Sequence, residues 1–341
     1  MKAVAVGDLL LPASVFDETI RSASWVTAYD SFDWDVTKKR DELRNVVRRM
    51  ETGGSRAFLP TQEELERLKD AEVILSHLFT IPREVFEAAP KLRYILSARG
   101  GVENIDLKAA HEHGVSVIHC PAHNAIAVAE YAIGLMIAES RNIARADRGL
   151  RSGTWIEKYP DSAAIPELRG SNVGIIGFGR IGQATGRIAA ALGMRVLAHS
   201  PHESDEGRRI GTYVDLDTLL RESDVISLHC PLTKDNAELI NRQTIAKMKD
   251  GALLVNNARG QLLNEQDVAD ALNSGKLAGA ALDVVSTEPV HADNPLLSAK
   301  NCILTPHISW APLESRQRIM DITAANIQAF LNGAPQNVVN K

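Results

Sequence analysis

Short apolar runs of strand length alternate with stretches of helical periodicity along almost the whole chain, the pattern of parallel sheets covered by helices on both faces. The fold class it implies is α/β. A first series of strands is expected at residues 3–6, 73–76, 93–97 and 115–120, with a helix over 61–69, and makes one small doubly wound unit. A second series, at 173–176, 195–198, 225–229, 253–256, 279–282 and 303–305, has the six strands of a dinucleotide fold. Between the two series, 124–148 reads as one long alanine-rich helix interrupted only by Gly134, and a final helix covers 312–331. Residues 21–54 are polar and irregular and yield no assignable element, and Gly53-Gly54-Ser55 reads as a loop. At 341 residues the chain exceeds what one core usually serves, so two domains are expected.

Composition narrows the partners. A net charge of −5 and a pI near 6.1, with signs interspersed, argue against nucleic acid, which asks for a basic stripe. Cys120, Cys230 and Cys302 are odd in number, far apart, and each ends an apolar run, so they are expected as buried thiols of a reducing compartment rather than disulfides or metal ligands. No metal site is expected. His111 and His113 lack metal-ligand spacing and are expected at a solvated helix end. The first apolar run is broken by Asp8 and Pro12 and has no basic start, and no run approaches a membrane span, so a cytoplasmic location is the default expectation.

Gly177-Phe178-Gly179-Arg180-Ile181-Gly182 follows the run Val173-Gly174-Ile175-Ile176 and opens a helical pattern to Leu192. A glycine triplet alone is weak evidence, but between a strand and a helix it is a dinucleotide signature. Gly177 allows the tight turn, Gly179 lets backbone approach a pyrophosphate, and Gly182 lets helix and strand pack closely, while the helix start offers the N–H groups of Arg180 and Ile181. At the end of the next strand, where an acid would bind the ribose of NAD, stands Ala198-His199-Ser200-Pro201. Two readings stay open: NADP is tolerated, with Ser200, His202, Arg208 or Arg209 near its 2′-phosphate, or Ser200 bonds the ribose hydroxyls of NAD.

Ligands of open α/β sheets bind beyond the carboxyl ends of strands, and there the second series carries chemistry. Arg259 follows Leu254-Val255-Asn256-Asn257-Ala258, Asp283 follows Ala280-Ala281-Leu282, His307 follows Leu304-Thr305-Pro306, and Glu288 precedes Pro289. Reducing a 2-keto acid needs a hydride donor, a cation for the substrate's carboxylate and carbonyl, and an acid for the developing alkoxide. Arg259 suits the second need with its forked, permanent charge, and His307 the third. Glu288, if adjacent, orients the ring and favours its protonated form. Singly, each residue has an ordinary structural reading as an ion-pair partner, a turn or scaffolding; their joint order carries the assignment.

At this spacing the residues resemble the D-2-hydroxyacid dehydrogenase family over residues 92–337. The resemblance rests on the glycine motif, Asn257-Ala258-Arg259-Gly260, Ala280-Ala281-Leu282-Asp283-Val284, Glu288-Pro289 and Thr305-Pro306-His307-Ile308. It implies catalytic roles for Arg259, Glu288 and His307, a cofactor loop at Ala258, contact of Asp283 with the nicotinamide carboxamide, and an adenine-side stretch at Cys230-Pro231. Ala98-Arg99-Gly100-Gly101-Val102-Glu103-Asn104 resembles the family's substrate loop, which implies that backbone at Gly100 and Gly101 grips the substrate carboxylate. Arg99 either faces that pocket or neutralises Glu103, and His77 either touches substrate or is structural. The resemblance further implies a Rossmann dinucleotide-binding domain, about 121–304, inserted into a flavodoxin-like substrate domain made of 1–120 and 305–341. It also implies a homodimer to which helix 124–148 contributes.

Trp310 stands where many members carry a small residue but where glycerate and hydroxypyruvate reductases of the family often show tryptophan, and the resemblance implies that it trims the pocket toward glyoxylate or hydroxypyruvate. The cofactor implied is NAD or NADP and the partner a small 2-keto or 2-hydroxy acid. Two rival functions are weighed. Corepressors resembling these enzymes carry added recognition tails, which the chain to Lys341 is expected to lack. Formate-type enzymes carry glutamine where Glu288 stands; phosphite oxidation is not removed by sequence.

Overall fold

The computed structural model describes residues 1–21, 23–37, 40–155 and 167–340. Residues 22, 38 and 39 of the stretch with no assigned element, and Lys341, lie outside the described residues. The chain forms two compact units, residues 1–123 with 313–341, and residues 124–312. Segment 305–312 therefore groups with the second unit.

The first unit is built on five parallel strands: β1 (Lys2–Gly7), β2 (Ala28–Asp33), β3 (Val73–Ser76), β4 (Tyr94–Ser97) and β5 (Ser116–Ile118), in the order β2-β1-β3-β4-β5. This is the flavodoxin-like doubly wound order. The sheet is apolar on both faces, as a parallel sheet must be. Val4, Val6, Ile74, Ile95 and Val117 pack with Phe79 and Phe86 on one side. Ala3, Ala5, Leu75, Leu96 and Ile118 meet Phe16, Ile20, Ile319 and Ile327 on the other, which joins the final helix, Leu313–Leu331, to this unit.

The second unit has seven parallel strands: β6 (Asn172–Ile176), β7 (Arg195–His199), β8 (Thr212–Tyr213), β9 (Val225–Leu228), β10 (Ala252–Asn256), β11 (Leu277–Leu282) and β12 (Cys302–Leu304). Their order, β12-β11-β10-β9-β6-β7-β8, is the Rossmann order with one strand added, and its topology switches between β6 and β9. Ile176, Leu228, Leu254 and Leu282 cover one face with Leu219, Ile245 and Leu272. Val173, Ile175, Val225 and Val255 cover the other with Ala132, Met136 and Ala189.

Four expectations are corrected. The stretch 21–54 contains β2 and the helix Arg40–Gly53. That helix buries Leu43, Val46 and Met50, a stripe at helical spacing thin enough to look polar overall, and Gly53 closes it while Gly54–Arg56 is a 3-10 turn. The bridging helix is two, Ala125–Ser140 and Ile143–Arg151, because Asn142 adopts φ +55°, a conformation asparagine tolerates. The second sheet has a seventh strand, β8, two residues long. Cys302 opens β12 rather than ending a run, and only Cys120 is buried at residue level. All three cysteines are free, and burial pushes Cys120 to about 11 and Cys302 to about 12. Among the described residues no helix is long and apolar enough to cross a membrane.

The helix break has an energetic consequence. Asn142 Oδ1 accepts from Arg145 Nε at 2.7 Å, which aims the guanidinium back at buried Glu139, whose Oε1 accepts from Nη1 at 2.7 Å. That carboxylate lies on Gly279 of β11, where a Cβ would collide with it. A buried carboxylate stripped of its cation is strongly destabilising. Arg145→Ala is expected to cost about 3 kcal/mol, seen as a lower urea midpoint for the unfolding of the second unit with an unchanged slope.

Candidate active site

The glycine motif leaves β6 at the topological switch. Gly177 has φ +92°, and a Cβ there would collide with the backbone of Cys230 beyond β9. A Cβ on Gly182 would strike the carbonyl of Gly177. Gly179 is different: it is extended, faces open space, and is the N-cap of the helix Arg180–Ala191 with no side chain capping it. A cradle with room at its centre and an uncapped helix start fits a pyrophosphate. Past β7, Ser200 is half-buried, His202 and Arg209 are exposed, and Arg208 is drawn to Glu203 at 2.6 Å. Beyond β9, His229 is sealed in: burial pushes it down to about 4, and Ser227 Oγ lies 2.9 Å from its Nε2. Next to it, the Pro231 carbonyl accepts from Asn236 Nδ2 at 2.8 Å.

Arg259 is presented by a loop stitched from below. The fully buried Asn256, last residue of β10, donates from Nδ2 to the Arg259 carbonyl at 2.9 Å and accepts from the Ala258 N–H at 2.9 Å. The Arg259 side chain is exposed, with Nη1 donating to the Ala258 carbonyl at 2.8 Å. Gly260 presses so tightly on Val285 that a Cβ would overlap its carbonyl. The arginine loop and the loop after β11 are thereby packed together.

The loop after β11 and the loop after β12 meet at Asp283. This carboxylate is fully buried and accepts from Thr305 Oγ1 (2.6 Å), the Ile308 N–H (3.0 Å) and the Ser309 N–H (2.9 Å), while its carbonyl accepts from the His307 N–H at 2.7 Å. His307 itself sits at φ +53°, and Trp310 Nε1 donates to its carbonyl at 2.9 Å. So held, the imidazole places Nδ1 2.9 Å from Glu288 Oε2. Nε2 makes no hydrogen bond among the described residues.

In the first unit, His77 Nδ1 lies 2.9 Å from the buried Asp8, which also accepts from the N–H groups of Leu10, Leu11 and Leu78. Burial raises the Asp8 carboxyl, but His77 and the Leu11 and Leu10 amides outweigh it and leave it below the usual range. Arg99 Nη2 lies 3.4 Å from Glu103 Oε2, and the Glu103 carboxylate folds over Gly101.

The matched family model is the D-isomer specific 2-hydroxyacid dehydrogenase, NAD binding domain, over residues 133–309. A hydroxypyruvate reductase of Blautia hydrogenotrophica is 48% identical over 288 residues, covering 82% of this chain and 88% of the relative. A glyoxylate reductase of Thermofilum pendens is 38% identical, covering 84% and 87%. The chain belongs to the D-isomer specific 2-hydroxyacid dehydrogenase family. Among solved structures, a glyoxylate reductase from Paecilomyes thermophila superposes with a TM-score of 0.76 at 28% identity, covering 99% of this chain and 98% of that one. This dehydrogenase is accordingly an NAD(P)-dependent oxidoreductase of 2-hydroxy acids.

Sequence reasoning about the dehydrogenase missed the group that steadies Glu288. Glu265, first residue of the helix Glu265–Ser274, accepts from the Ser286 N–H (2.6 Å), Ser286 Oγ (2.7 Å) and Asn294 Nδ2 (2.9 Å), clasping the loop that carries Glu288. An acid in a helix's first turn is so common a dipole partner that nothing in the sequence marks this one. Glu265→Ala is expected to lower kcat about tenfold by loosening the Glu288 to His307 contact, with cofactor Kd unmoved, and Glu265→Gln, which keeps one acceptor, to recover part of it. Steady-state kinetics beside a cofactor titration checks this; a matched loss in cofactor affinity would show general unfolding instead.

Proposed function

We propose that Arg259, His307 and Glu288 carry the reduction of a short 2-keto acid to its D-2-hydroxy acid. The observation that carries this reading is the 2.9 Å contact of His307 Nδ1 with Glu288 Oε2. A carboxylate there keeps the proton on Nδ1 and leaves Nε2 as the nitrogen that delivers a proton outward. The Arg259 guanidinium binds the substrate carboxylate and polarises the carbonyl, and the Gly100 and Gly101 amides hold that carboxylate from the first unit's loop. Bound NAD(P)H supplies the hydride to C2. As O2 gains charge, His307 Nε2 protonates it, with Glu288 stabilising the imidazolium before the transfer; the reverse reaction returns the proton to Nε2.

The glycine cradle with Arg180 and Ile181 would hold the pyrophosphate, Ser200 the adenosine ribose, Cys230 and Pro231 the adenine side, Ala258 the nicotinamide side, and Asp283 the carboxamide through its one remaining acceptor position. The first unit is read as the substrate domain, with Arg99, His77 and Trp310 bordering the substrate. Glyoxylate or hydroxypyruvate is the proposed substrate, supported by the names of the two relatives above and by the bulk of the Trp310 indole. A homodimer is proposed because Ile126, Ile143, Leu150 and Trp155 are exposed on and just beyond the paired helices. A cytoplasmic location is proposed from the three free thiols.

His307→Ala is expected to lower kcat of reduction by about 10²-fold or more while cofactor binding, followed by nicotinamide fluorescence, persists. Near-normal turnover would remove His307 from the mechanism. In a screen of glyoxylate, hydroxypyruvate, pyruvate and bulkier keto acids, NADPH is expected to support turnover as well as NADH, because no carboxylate stands at Ser200 to repel a 2′-phosphate. A preference for NADH of about 100-fold or more, comparable to the full effect of a placed charge, would reject that reading. Cofactor binding without turnover of any keto acid would favour a dinucleotide sensor instead.

A further inference from the structure

At the carboxyl edge of the first unit's sheet, β3, β4 and β5 are neighbours, and the chain beyond them carries His77, Arg99 to Gly101, and His123. The last two stretches are tied together: the Cys120 N–H donates to the Arg99 carbonyl at 2.9 Å, and His119 Nδ1 donates to the Gly100 carbonyl at 2.7 Å. A Cβ on Gly100 would lie 3.8 Å from Cε1 and Nδ1 of His123. The His123 imidazole thus stands in contact distance of the glycine loop to which the proposed function gives the substrate carboxylate.

The state of that ring follows from its partners. Nδ1 lies 3.2 Å from the Cys120 carbonyl, which can only accept, so Nδ1 carries the hydrogen. Burial first, then the positive charges of His77, Arg99 and Arg318, push its titration below the ordinary imidazole range, so the ring is neutral at pH 7. In that tautomer Nε2 is a lone-pair acceptor. It makes no hydrogen bond among the described residues and is not one of the sealed, partnerless atoms. The backbone is fixed as well, with the His123 carbonyl accepting from Arg318 Nε at 2.8 Å. A neutral acceptor offers nothing to a carboxylate and is complementary to a hydroxyl.

We propose that His123 is a specificity-determining residue whose Nε2 accepts a hydrogen bond from a hydroxyl on C3 of the 2-keto acid held at Gly100 and Gly101. Hydroxypyruvate is thereby selected over pyruvate. The inference rests on the proposed function, which gives that loop the substrate. One neutral hydrogen bond is worth roughly tenfold in kcat/KM.

The experiment compares kcat/KM for hydroxypyruvate and pyruvate with one cofactor in the wild-type enzyme, His123→Phe and His123→Gln. The wild type is expected to favour hydroxypyruvate by about tenfold or more, His123→Phe to reduce the ratio by about tenfold, and His123→Gln, which carries an amide oxygen, to restore part of it. Where His123→Phe does not fold, His123→Asn, whose shorter chain withdraws the acceptor, is read by the same ratio. A wild type without the preference, or a preference that survives loss of the acceptor, overturns the proposal. Reduction of neither acid by the wild type overturns the parent reading, and this one with it.

Discussion

Asp283 stands at the carboxyl end of β11 with no solvent exposure, and a carboxylate so placed is costly unless hydrogen bonds replace its hydration. Three donors from the loop after β12 do so, and they fix Thr305, Ile308 and Ser309 around the backbone of His307. The histidine is thereby held at a positive φ that a non-glycine residue adopts only when its surroundings require it. Trp310, read from sequence as a wall of the pocket, supplies part of that constraint through its bond to the His307 carbonyl. The contact with Glu288 depends on all of this, because an imidazole free to turn would share its proton with water.

The parts legible in the sequence were those whose physics is local. A glycine triplet between a strand and a helix has one economical use, and the collisions that a Cβ would meet at Gly177 and Gly182 show why only glycine serves there. Buried parallel strands announce themselves as short apolar runs, so ten of the strands could be placed near their observed positions. β2 could not be, since its sequence, AYDSFD, is an edge strand with half-exposed side chains, and β8 is too short to leave a pattern. The helix Arg40–Gly53 was hidden because arginines and glutamates outnumber the residues it buries.

What stayed illegible was mostly second in line to the chemistry. Glu265 acts through partners brought near by the fold, across 21 and 29 residues of chain, and a single sequence carries no trace of such pairings. Asp283 was singled out for a cofactor contact, yet most of its acceptor capacity goes to the protein. The break at Asn142 was missed for a related reason: alanine-rich periodicity continues through it, and only the pull of Arg145 toward Glu139 reveals what the left-handed residue achieves.

Both units solve the same problem in the same way. Where strands of a parallel sheet end, backbone N–H groups leave the ladder and need acceptors, and the chain must also turn sharply to present side chains. A carboxylate is suited to this because it only accepts, at about four positions, and can gather N–H groups from separate loops. Asp8, at the end of β1, gathers Leu10, Leu11, Leu78 and His77; Asp283, at the end of β11, gathers Thr305, Ile308 and Ser309. In each case a histidine emerges beside the buried acid, and its backbone or ring is fixed by it. The cost of burying a charge is thus offset by several charge-assisted bonds, and the rigidity that results falls at the sheet edge, where ligands of such folds bind.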